Sequence, residues 1–558
     1  MKRIYSILKL TFIASILLGS QGCELELELN DRYTDNTIWE NPESIDMVML
    51  GMYNEFHRFA FGQFPIGYDN KTDGLTDIMK YTSSAEGSGS VNLLAFEPSR
   101  VSASTPQLNY WSTGYVRVRR LNEFIYGLNN YSSLSEEERL DYEAEARFIR
   151  GYTYFWLVKL YGSVVLLDEL TSEPNNPRSS EKESWDFVLN DFMFAAENLP
   201  LKSEVESGRA TKGAAYAFLA RAALYAGSIA EYGNKQYNPD PLTGISSSEQ
   251  DRYYQVAADA AEKVGDLGYS LYPDFEELFT TPENSEAIFS MHYQQPSLTH
   301  SFDYDFTPPI DNNNRVEGVP TAEVVNEFEM ANGQEFSWSN SSMAQNPYAN
   351  REPRFYGSIL YNGADWQGTT LETYVGGNVG FVDYGYEVNP STTVTGYYVR
   401  KYLYESNEDF VQYGSSQSWM VIRYAEVLLI KAEAELKLGN IDAAKDALNE
   451  VRSRVDLPNV TANSHDALME AIEHERIVEL AFEGHRYWDL RRWRKAHIEL
   501  DEMRVHGHRI TRAGDGTFEY EVVDSDKQDR NFTTNLYYLP IPVSEIANNN
   551  ALEQIQGW

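Results

Sequence analysis

The 558-residue sequence contains a single cysteine, Cys23, so an internal disulfide bond is impossible. One thiol also rules out the clustered thiolates typical of a structural zinc site, and the fold must therefore be held together by packing. Basic residues are few as well, because 46 Lys and Arg face 84 Asp and Glu and give a net charge of −38. A phosphate backbone repels a chain with this charge, and nucleic acid is excluded as a partner.

Long apolar runs are also missing after the N-terminus. No later stretch reaches the roughly 18 uncharged apolar residues that a membrane-spanning helix needs. Apolar residues nevertheless make up 42% of the chain and aromatic residues 13%, including 39 Tyr. This content is too high for a disordered chain, and it predicts a packed body that is large enough for a substantial core.

The N-terminus has the pattern of a secretion signal. Three basic residues, Lys2, Arg3 and Lys9, precede the apolar stretch Leu10–Leu18, and small residues separate that stretch from Cys23. This pattern predicts a lipoprotein signal peptide over residues 1–22, with Cys23 as the acylated first residue of the mature chain. An ordinary secreted protein with a free thiol at its cleaved end is the alternative. Residues 23–40 begin with alternating Glu and Leu and are predicted to form a flexible, solvated leader.

Helical periodicity is strongest in residues 210–231 and 419–438. The second of these helices ends at Gly439 and is followed directly by a partner helix, as in the hairpins of tetratricopeptide repeats. Because the spacing of such pairs is irregular, we expect embedded helix pairs and not a regular solenoid. Further helix pairs and one additional helix are expected over residues 111–161, 185–231 and 250–267.

The segment between the two helical regions differs in composition. It is rich in Gly, Asn, Tyr, Ser and Pro and contains short β-like stretches such as Thr395–Tyr404. Loops on a rigid helical scaffold commonly carry binding residues. We therefore predict a mainly α fold with tetratricopeptide-type pairs and a loop-rich excursion with short β-strands. Its predicted parts are an N-terminal helical region over 41–285, a ligand-side excursion over 286–416 and a C-terminal region over 417–558.

Motifs of catalysis or cofactor binding are incomplete. His474 and Glu475 begin like a zinc-protease helix, but the second His is missing four residues on. The segment Asp69–Gly74 resembles a calcium loop, yet Lys71 stands where an oxygen ligand is needed. The sequence also lacks a phosphate-binding glycine loop and a Gly-x-Ser-x-Gly elbow. We expect no enzyme and no resident cofactor, while a looser Ca²⁺ site among the acidic loops stays open without assigned ligands.

The densest charged segment, Glu475–Arg494, alternates acidic and basic residues with apolar ones at helical spacing. Guanidinium groups in such a segment would pair with carboxylates beneath Trp488 and Trp493. An anion site is the functional interpretation. Because the acidic residues already match the arginines, we predict a structural ion-pair network that docks helices.

The same region carries a family resemblance. Arg423–Ala434 (RYAEVLLIKAEA), Asn449–Arg452 (NEVR) and Glu475–Trp493 (ERIVELAFEGHRYWDLRRW) together resemble the C-terminal signature of the SusD/RagB family of surface lipoproteins. Other blocks follow the family's order and extend the resemblance over nearly the whole mature chain: Arg119–Glu123, Glu145–Gly151, Leu160–Gly162, Gly208–Ala215, Arg354–Phe355, Leu539–Pro542 and Gly557–Trp558.

The resemblance implies a non-catalytic protein that is lipid-anchored in the outer membrane and faces outward. Proteins of this family act as a lid on a SusC-type TonB-dependent transporter and close a captured oligosaccharide into its barrel. In the RagB branch the cargo is a peptide, and a mainly structural lid with little ligand affinity is a third possibility. The family's helical repeats serve chiefly the partner contact, and its ligand site lies in loops apart from them.

A glycan site needs flat aromatic rings beside hydrogen-bonding side chains. The resemblance puts the ligand contacts in the loop before the Tyr110–Trp111 helix and in the stretch after Phe289. By position, without a matching motif, the candidate ligand-binding residues are Tyr68, Asp69, Tyr81, Tyr293, Tyr304, Asn313, Arg315 and Trp366.

Overall fold

A computed structural model describes residues 38–54, 56–59, 70–81, 92–232, 240–310, 316–383, 392–407, 409–526 and 528–558. Within these ranges the protein is mainly helical, with short paired strands. Its hydrophobic core extends through the helical layers and through the strand-bearing segments. The mainly α fold class expected from the sequence is confirmed.

Long helices form the framework of the protein. The described ranges contain α1 Pro42–Tyr53, α2 Trp111–Tyr131, α3 Glu136–Tyr161, α4 Glu181–Asn198, α5 Lys212–Glu231, α6 Gln250–Asp266, α7 Tyr424–Lys437, α8 Ile441–Ser453 and α9 His465–Glu479. Shorter helical segments are Phe56–Arg58, Asn70–Leu75, Asn92–Phe96, Pro98–Arg100, Lys202–Glu204, Ser247–Glu249, Phe275–Leu278, Phe302–Phe306, Ala322–Glu327, Ser341–Gln345, Pro353–Ser358, Phe410–Tyr413, Arg486–Arg492, Ala496–Glu499, Thr534–Tyr537 and Val543–Asn548.

The long helices pack in chain order. Each of α2 to α6 contacts the next, and α7 continues the series against α6 before it packs on α8 and α9. Capping boxes begin α3 and α4, where Ser135 and Ser180 accept a hydrogen bond from the backbone N–H three residues on. Gly227 in the alanine-rich α5 lies so close to Tyr254 that a Cβ there would sit 2.7 Å from the ring. Small residues thus allow the close helix contacts that the composition predicts.

Strands are short and pair in twos. They are β1 Met79–Tyr81, β2 Ala287–Met291, β3 Gly318–Pro320, β4 Ile359–Leu360, β5 Asp365–Trp366, β6 Thr369–Thr370, β7 Tyr398–Val399, β8 Trp419–Arg423, β9 His506–Arg512 and β10 Phe518–Asp524. The antiparallel pairs are β1–β3, β2–β8, β4–β7, β5–β6 and β9–β10. The chain therefore leaves the helical layer at β2 and returns to it at β8.

Strand β8 corrects one expectation from the sequence, which placed residues 419–438 in a single helix. Residues Trp419–Arg423 are extended and buried, and they pair with β2. The run Trp-Met-Val-Ile is bulky and includes two β-branched residues, so it suits a buried strand as well as it suits a helix stripe. The helix α7 begins only at Tyr424.

The described residues begin with a packed tryptophan, which bears on the predicted end of the flexible leader over residues 23–40. Trp39 is 9% exposed, and its ring centroid lies 5.5 Å from that of Phe124. The indole also covers Gly127, where a Cβ would sit 2.0 Å from the ring. Residues 38–40 therefore belong to the folded body, because the indole is fixed on α2.

Candidate ligand-binding face

The predicted ligand residues divide into two groups. Tyr68, Asp69, Asn313 and Arg315 lie outside the described residues, as does the lipidation site Cys23. The other four predicted residues are described, and their surroundings decide which of them is accessible: Tyr81, Tyr293, Tyr304 and Trp366.

Tyr293 lies between two histidines beside the predicted ligand loops. Its ring meets His57 edge-on at 4.8 Å and His300 edge-on at 4.5 Å. Only 9% of Tyr293 is exposed, whereas His57 and Tyr304 are half-buried. We define these four side chains, His57, Tyr293, His300 and Tyr304, as the candidate face. His57 and Tyr304 are its partly accessible members, whereas Tyr293 and His300 are buried.

Both histidines of the candidate face are neutral near pH 7. Burial lowers the pKa of His300 to about 3. Burial and the nearby His292 lower the pKa of His57 as well. The Nδ1 atom of His57 has no hydrogen-bond partner within the described part of the chain. A neutral imidazole donates one hydrogen bond and accepts one. His300 uses both within the protein, because Nε2 donates to the Gln417 carbonyl at 3.0 Å and Nδ1 accepts the Phe302 backbone N–H at 3.3 Å. His57 is therefore the imidazole of the two that is suited to a sugar hydroxyl or a peptide group.

A buried polar cluster holds the candidate face from behind. Asp303 accepts hydrogen bonds from Gln417 Nε2 at 2.8 Å and from Asn407 Nδ2 at 2.6 Å. Ser415 Oγ accepts the backbone N–H of Asp303 at 2.9 Å. Burial raises the pKa of Asp303 in spite of these amide contacts. The cluster fixes the helix Phe302–Phe306, and with it Tyr304, to the segment that precedes β8.

Tyr81 is a core residue and not an exposed ring. It is 1% exposed and covers Gly74, where a Cβ would sit 1.7 Å from its ring. Strand β1 places Tyr81 opposite Gly318, and Phe306 packs beside that glycine. The expectation that Tyr81 presents a free aromatic surface is therefore corrected, since its ring fills the space beneath the β1–β3 pair.

Trp366 is buried as well, with 1% exposure. It lies on β5 and lines a cavity of about 450 Å³. Among the other lining residues, Arg400 pairs with Glu276, and the Tyr404 hydroxyl donates to the Thr280 carbonyl at 3.3 Å. An accessible Trp366 platform was the wrong expectation, because the indole forms part of the wall and exposes almost no surface.

This cavity adds residues that the sequence analysis missed. The backbone N–H of Tyr404 donates to Asp303 Oδ1 at 3.3 Å, which links the cavity to the cluster behind the candidate face. Arg400 and Glu405 supply charged groups beside the half-buried Tyr404 ring. The tyrosine-rich stretch Thr395–Tyr404 was the available signal, although it was interpreted only as β-like.

The charged segment 475–494 forms the ion-pair network that the sequence predicts. Arg423 is 1% exposed and donates to Glu286, Glu479 and Glu483 at 2.6 to 2.8 Å. Arg354 pairs with Glu479 from the opposite side, at 3.1 Å. Burial raises the pKa of Glu479, but Arg454, Arg423 and Arg354 outweigh it and leave that pKa lowered. These guanidinium groups are already paired with carboxylates of the fold and do not form an anion site.

A serine–histidine contact and the distribution of metal-ligating side chains in the described ranges also bear on possible chemistry. No group of three or more His, Cys, Asp or Glu side chains suited to a metal occurs in the described ranges. Ser207 Oγ lies 2.8 Å from His292 Nε2, which suggests a serine nucleophile and its base. The second nitrogen of His292 bonds Ser418 Oγ, however, and Glu283 bonds the serine itself. A triad needs the carboxylate on that second nitrogen, so the arrangement is wrong for acyl transfer.

No helix in the described ranges is both long and apolar enough to cross a bilayer.

Two family models match the chain in succession. The model described as "Starch-binding associating with outer membrane" matches residues 28–224, and the SusD family model matches residues 285–558. The chain belongs to the SusD/RagB family. The resemblance carried by the sequence blocks is thereby confirmed.

Individual SusD-like proteins resemble the chain at low identity. A SusD-like protein of Bacteroides ovatus is 26% identical over 305 residues, and the match covers 52% of this chain and 50% of the relative. The chain thus spans about half the length of that relative. The SusD-like protein P38 of Formosa agariphila is 26% identical over 525 residues, with 89% and 93% of the two chains covered.

Solved structures of this kind superpose well. A SusD-like carbohydrate-binding protein of Bacteroides fragilis has a TM-score of 0.75 and 25% identity, with 93% of this chain and 100% of that chain covered.

The SusD/RagB signature blocks coincide with the buried ion pairs. Arg423 and Glu479 belong to the C-terminal signature and lie at the centre of the network. In the N-terminal half, Arg209 pairs with Glu145 at 2.8 Å, and each belongs to a different block. The signature residues of this family therefore stabilise the docking of helices in the present chain. The residues of the candidate face lie outside the signature blocks.

Proposed function

We propose that this chain is a non-catalytic surface lipoprotein that captures an oligosaccharide or polysaccharide and passes it to a SusC-type TonB-dependent transporter. It is anchored in the outer membrane by acyl chains on Cys23 and faces outward. The observation that carries the proposal is the ordered match of both family models, one of them described by starch binding at the outer membrane. The carbohydrate-binding name of the structural neighbour from Bacteroides fragilis supports the same ligand class.

The chemistry of the candidate face suits a neutral glycan. Neutral His57 offers hydrogen bonding without charge, and the half-buried Tyr304 offers an aromatic ring for the C–H groups of a sugar. The net charge of −38 disfavours strongly anionic glycans through long-range repulsion. A shallow, hydrated site that releases its cargo binds weakly, roughly in the micromolar to millimolar range.

Retention on polysaccharide gels tests the site. The soluble form that starts after Cys23 is expected to be retained by its cognate glycan. Combining His57→Phe with Tyr304→Ala is expected to weaken binding by roughly tenfold or more, because it removes two polar atoms of His57 and one ring. His57→Phe keeps the aromatic packing on Tyr293, so the fold is expected to survive.

The matched control is Tyr126→Ala, which removes a 45% exposed ring at the far end of α2. Its retention should equal that of the unaltered protein. Equal retention of the double variant and the control would reject the candidate face. Binding of mixed peptides without retention on any glycan gel would favour the RagB-like alternative. A tight complex with the transporter without measurable ligand affinity would favour a structural lid.

Capture is proposed to need no resident cofactor. Treatment with EDTA is therefore expected to leave glycan retention unchanged within experimental error, because hydroxyl recognition here relies on imidazole and phenol groups. Gel retention before and after chelation, with and without added Ca²⁺, is the measurement. Loss of retention that Ca²⁺ restores would establish a metal-dependent site in place of the proposed one.

A further inference from the structure

A short helix carries an exposed tyrosine near the candidate face. The helix Phe410–Tyr413 buries Phe410, which is 2% exposed, and leaves Tyr413 44% exposed. The side chain of Tyr413 makes no hydrogen bond and no ring contact with the described residues. Tyrosines of this chain that pack in the core have such contacts, as Tyr293 does. The Tyr413 ring is therefore accessible to a ligand and is not needed for packing.

The backbone beside Tyr413 is tied to the candidate face. Ser415 and His300 exchange both of their backbone hydrogen bonds, at 2.8 and 3.1 Å. The Gln295 side-chain amide also donates to the Gly414 carbonyl at 2.5 Å. An antiparallel pair of this kind holds its Cα atoms about 5.5 Å apart, and two residues span at most about 7 Å. The Cα atoms of Tyr413 and His300 therefore lie within about 13 Å of each other.

The two accessible tyrosines of this region are carried by helices that contact each other. The helix Phe410–Tyr413 packs against the helix Phe302–Phe306, which carries the half-buried Tyr304. Asn407 Nδ2 bridges the two, because it donates to Asp303 at 2.6 Å and to the carbonyl that follows Tyr413 at 3.4 Å. The fold thus sets the separation of Tyr304 and Tyr413 before a ligand binds.

The surroundings of Tyr413 suit an uncharged ligand. Residues 294–301 and 405–416 contain no lysine and no arginine. Their exposed polar groups include the amides of Gln294 and Gln412 and the hydroxyl of Ser297. Amides and hydroxyls bond sugar hydroxyls, while an aromatic ring packs on sugar C–H groups. An anionic chain would meet carboxylates here, such as those of Glu405 and Asp409, without a compensating cation.

We propose that Tyr413 is a second aromatic contact for the captured glycan, beside the contacts made by His57 and Tyr304. The inference rests on the proposed function and adds the length and charge of the ligand. The ligand is a neutral chain long enough for one sugar unit to lie on Tyr413 while another contacts the candidate face. Such a chain makes its second contact within the same complex, so affinity rises with chain length until both contacts are reached.

The dependence of affinity on chain length tests the inference. Starch, laminarin, arabinoxylan and galactomannan are screened on gels, with alginate as the anionic comparison. Oligosaccharides of increasing length from the polysaccharide that is retained are then titrated calorimetrically into the soluble chain that starts after Cys23. Tyr413→Ala is expected to lower the affinity for long chains about five- to tenfold and to leave that for the shortest measurable ligand unchanged. Combining His57→Phe with Tyr304→Ala is expected to lower both affinities.

Two variants control for the loss of a ring. Tyr126→Ala removes a tyrosine on α2 of nearly the same exposure, 45%, and should leave every affinity unchanged. Tyr413→Phe keeps the ring and should keep most of the affinity for long chains. Because Tyr413 has no packing contact with other rings, Tyr413→Ala is expected to unfold at the same denaturant concentration as the unaltered protein.

The possible failures are distinguishable. If Tyr413→Ala binds long chains as tightly as the unaltered protein does, the inference is overturned and the proposed function stands. An equal loss for short and long ligands, or tighter binding of alginate than of any neutral polysaccharide, would also overturn the inference alone. Weaker binding to the transporter without a change in glycan affinity would assign the ring to a protein contact instead. Failure of the unaltered protein to bind any of the polysaccharides would overturn the proposed function and this inference together.

Discussion

Replacement of Arg423 by alanine is expected to lower the free energy of unfolding by about 3–5 kcal/mol. Arg423 lies at the junction of β8 and α7 and is almost completely buried. Its guanidinium bonds three carboxylates, those of Glu286, Glu479 and Glu483, and also the backbone carbonyl of Glu479. Removal of the cation leaves buried negative charges with too few partners, and that desolvated state is the source of the cost.

Denaturant unfolding measures this effect, and Arg119→Ala is the matched control. Arg119 forms an ion pair of similar length with Glu123, at 2.8 Å, but its side chain is 70% exposed. The control should change the free energy of unfolding by less than about 0.5 kcal/mol, since water screens an exposed pair. A similarly small change in Arg423→Ala would contradict the assignment, and it would mean that Arg454 and Lys401 neutralise the cluster without it.

Features set by neighbouring residues were predictable from the sequence. Helix α5 shows its alanine spacing within twenty residues, and the hairpin of α7 and α8 shows Gly439 between two periodic stretches. The ion-pair network was also predictable in kind, because acidic and basic residues alternate in balance over the segment 475–494. In each case the decisive information lies within about one helix length of the residue concerned.

The accessibility of single aromatic rings was not predictable. Tyr81 is buried because β1 pairs with β3, which lies more than two hundred residues later in the chain. Trp366 is buried against segments that include Arg400 and Glu276, and no local pattern brings these together. With 39 Tyr and 10 Trp in the chain, composition predicts aromatic surfaces but cannot say which rings the tertiary contacts cover.

The polar residues of the candidate face were missed for a similar reason. His57 and His300 are single histidines in unremarkable sequence, and only the fold places both against Tyr293. Asp303 is likewise one of 84 acidic residues, and its role depends on amides from a segment about a hundred positions away. Family resemblance gave the region of the site, while the contacts within it come from the structure.

Acid is expected to destabilise the protein through Glu433. This buried carboxylate accepts two hydrogen bonds from Arg492, at 2.5 and 2.6 Å, and one from the Trp493 indole at 2.9 Å. Burial alone raises the pKa of Glu433, but the charge and hydrogen bonds of Arg492 outweigh it and lower the pKa from 4.5 to about 2. A carboxylate with a depressed pKa in the folded state contributes stability above its unfolded pKa and loses it as the pH falls.

The window for this loss runs from about pH 4.5 down to about pH 2, and its size is about 3 kcal/mol. The pKa of some other buried carboxylates shifts upwards, because burial raises the pKa of Asp303 and Glu181. The pH dependence of the total unfolding free energy therefore does not report on Glu433 alone. The variant Glu433→Gln isolates the effect. Its deficit in unfolding free energy relative to the unaltered protein should be largest above pH 5 and shrink towards pH 2, where Glu433 is itself protonated. A deficit that stays constant across this range would mean that Glu433 keeps an ordinary pKa, and that its contacts with Arg492 contribute through packing and not through charge.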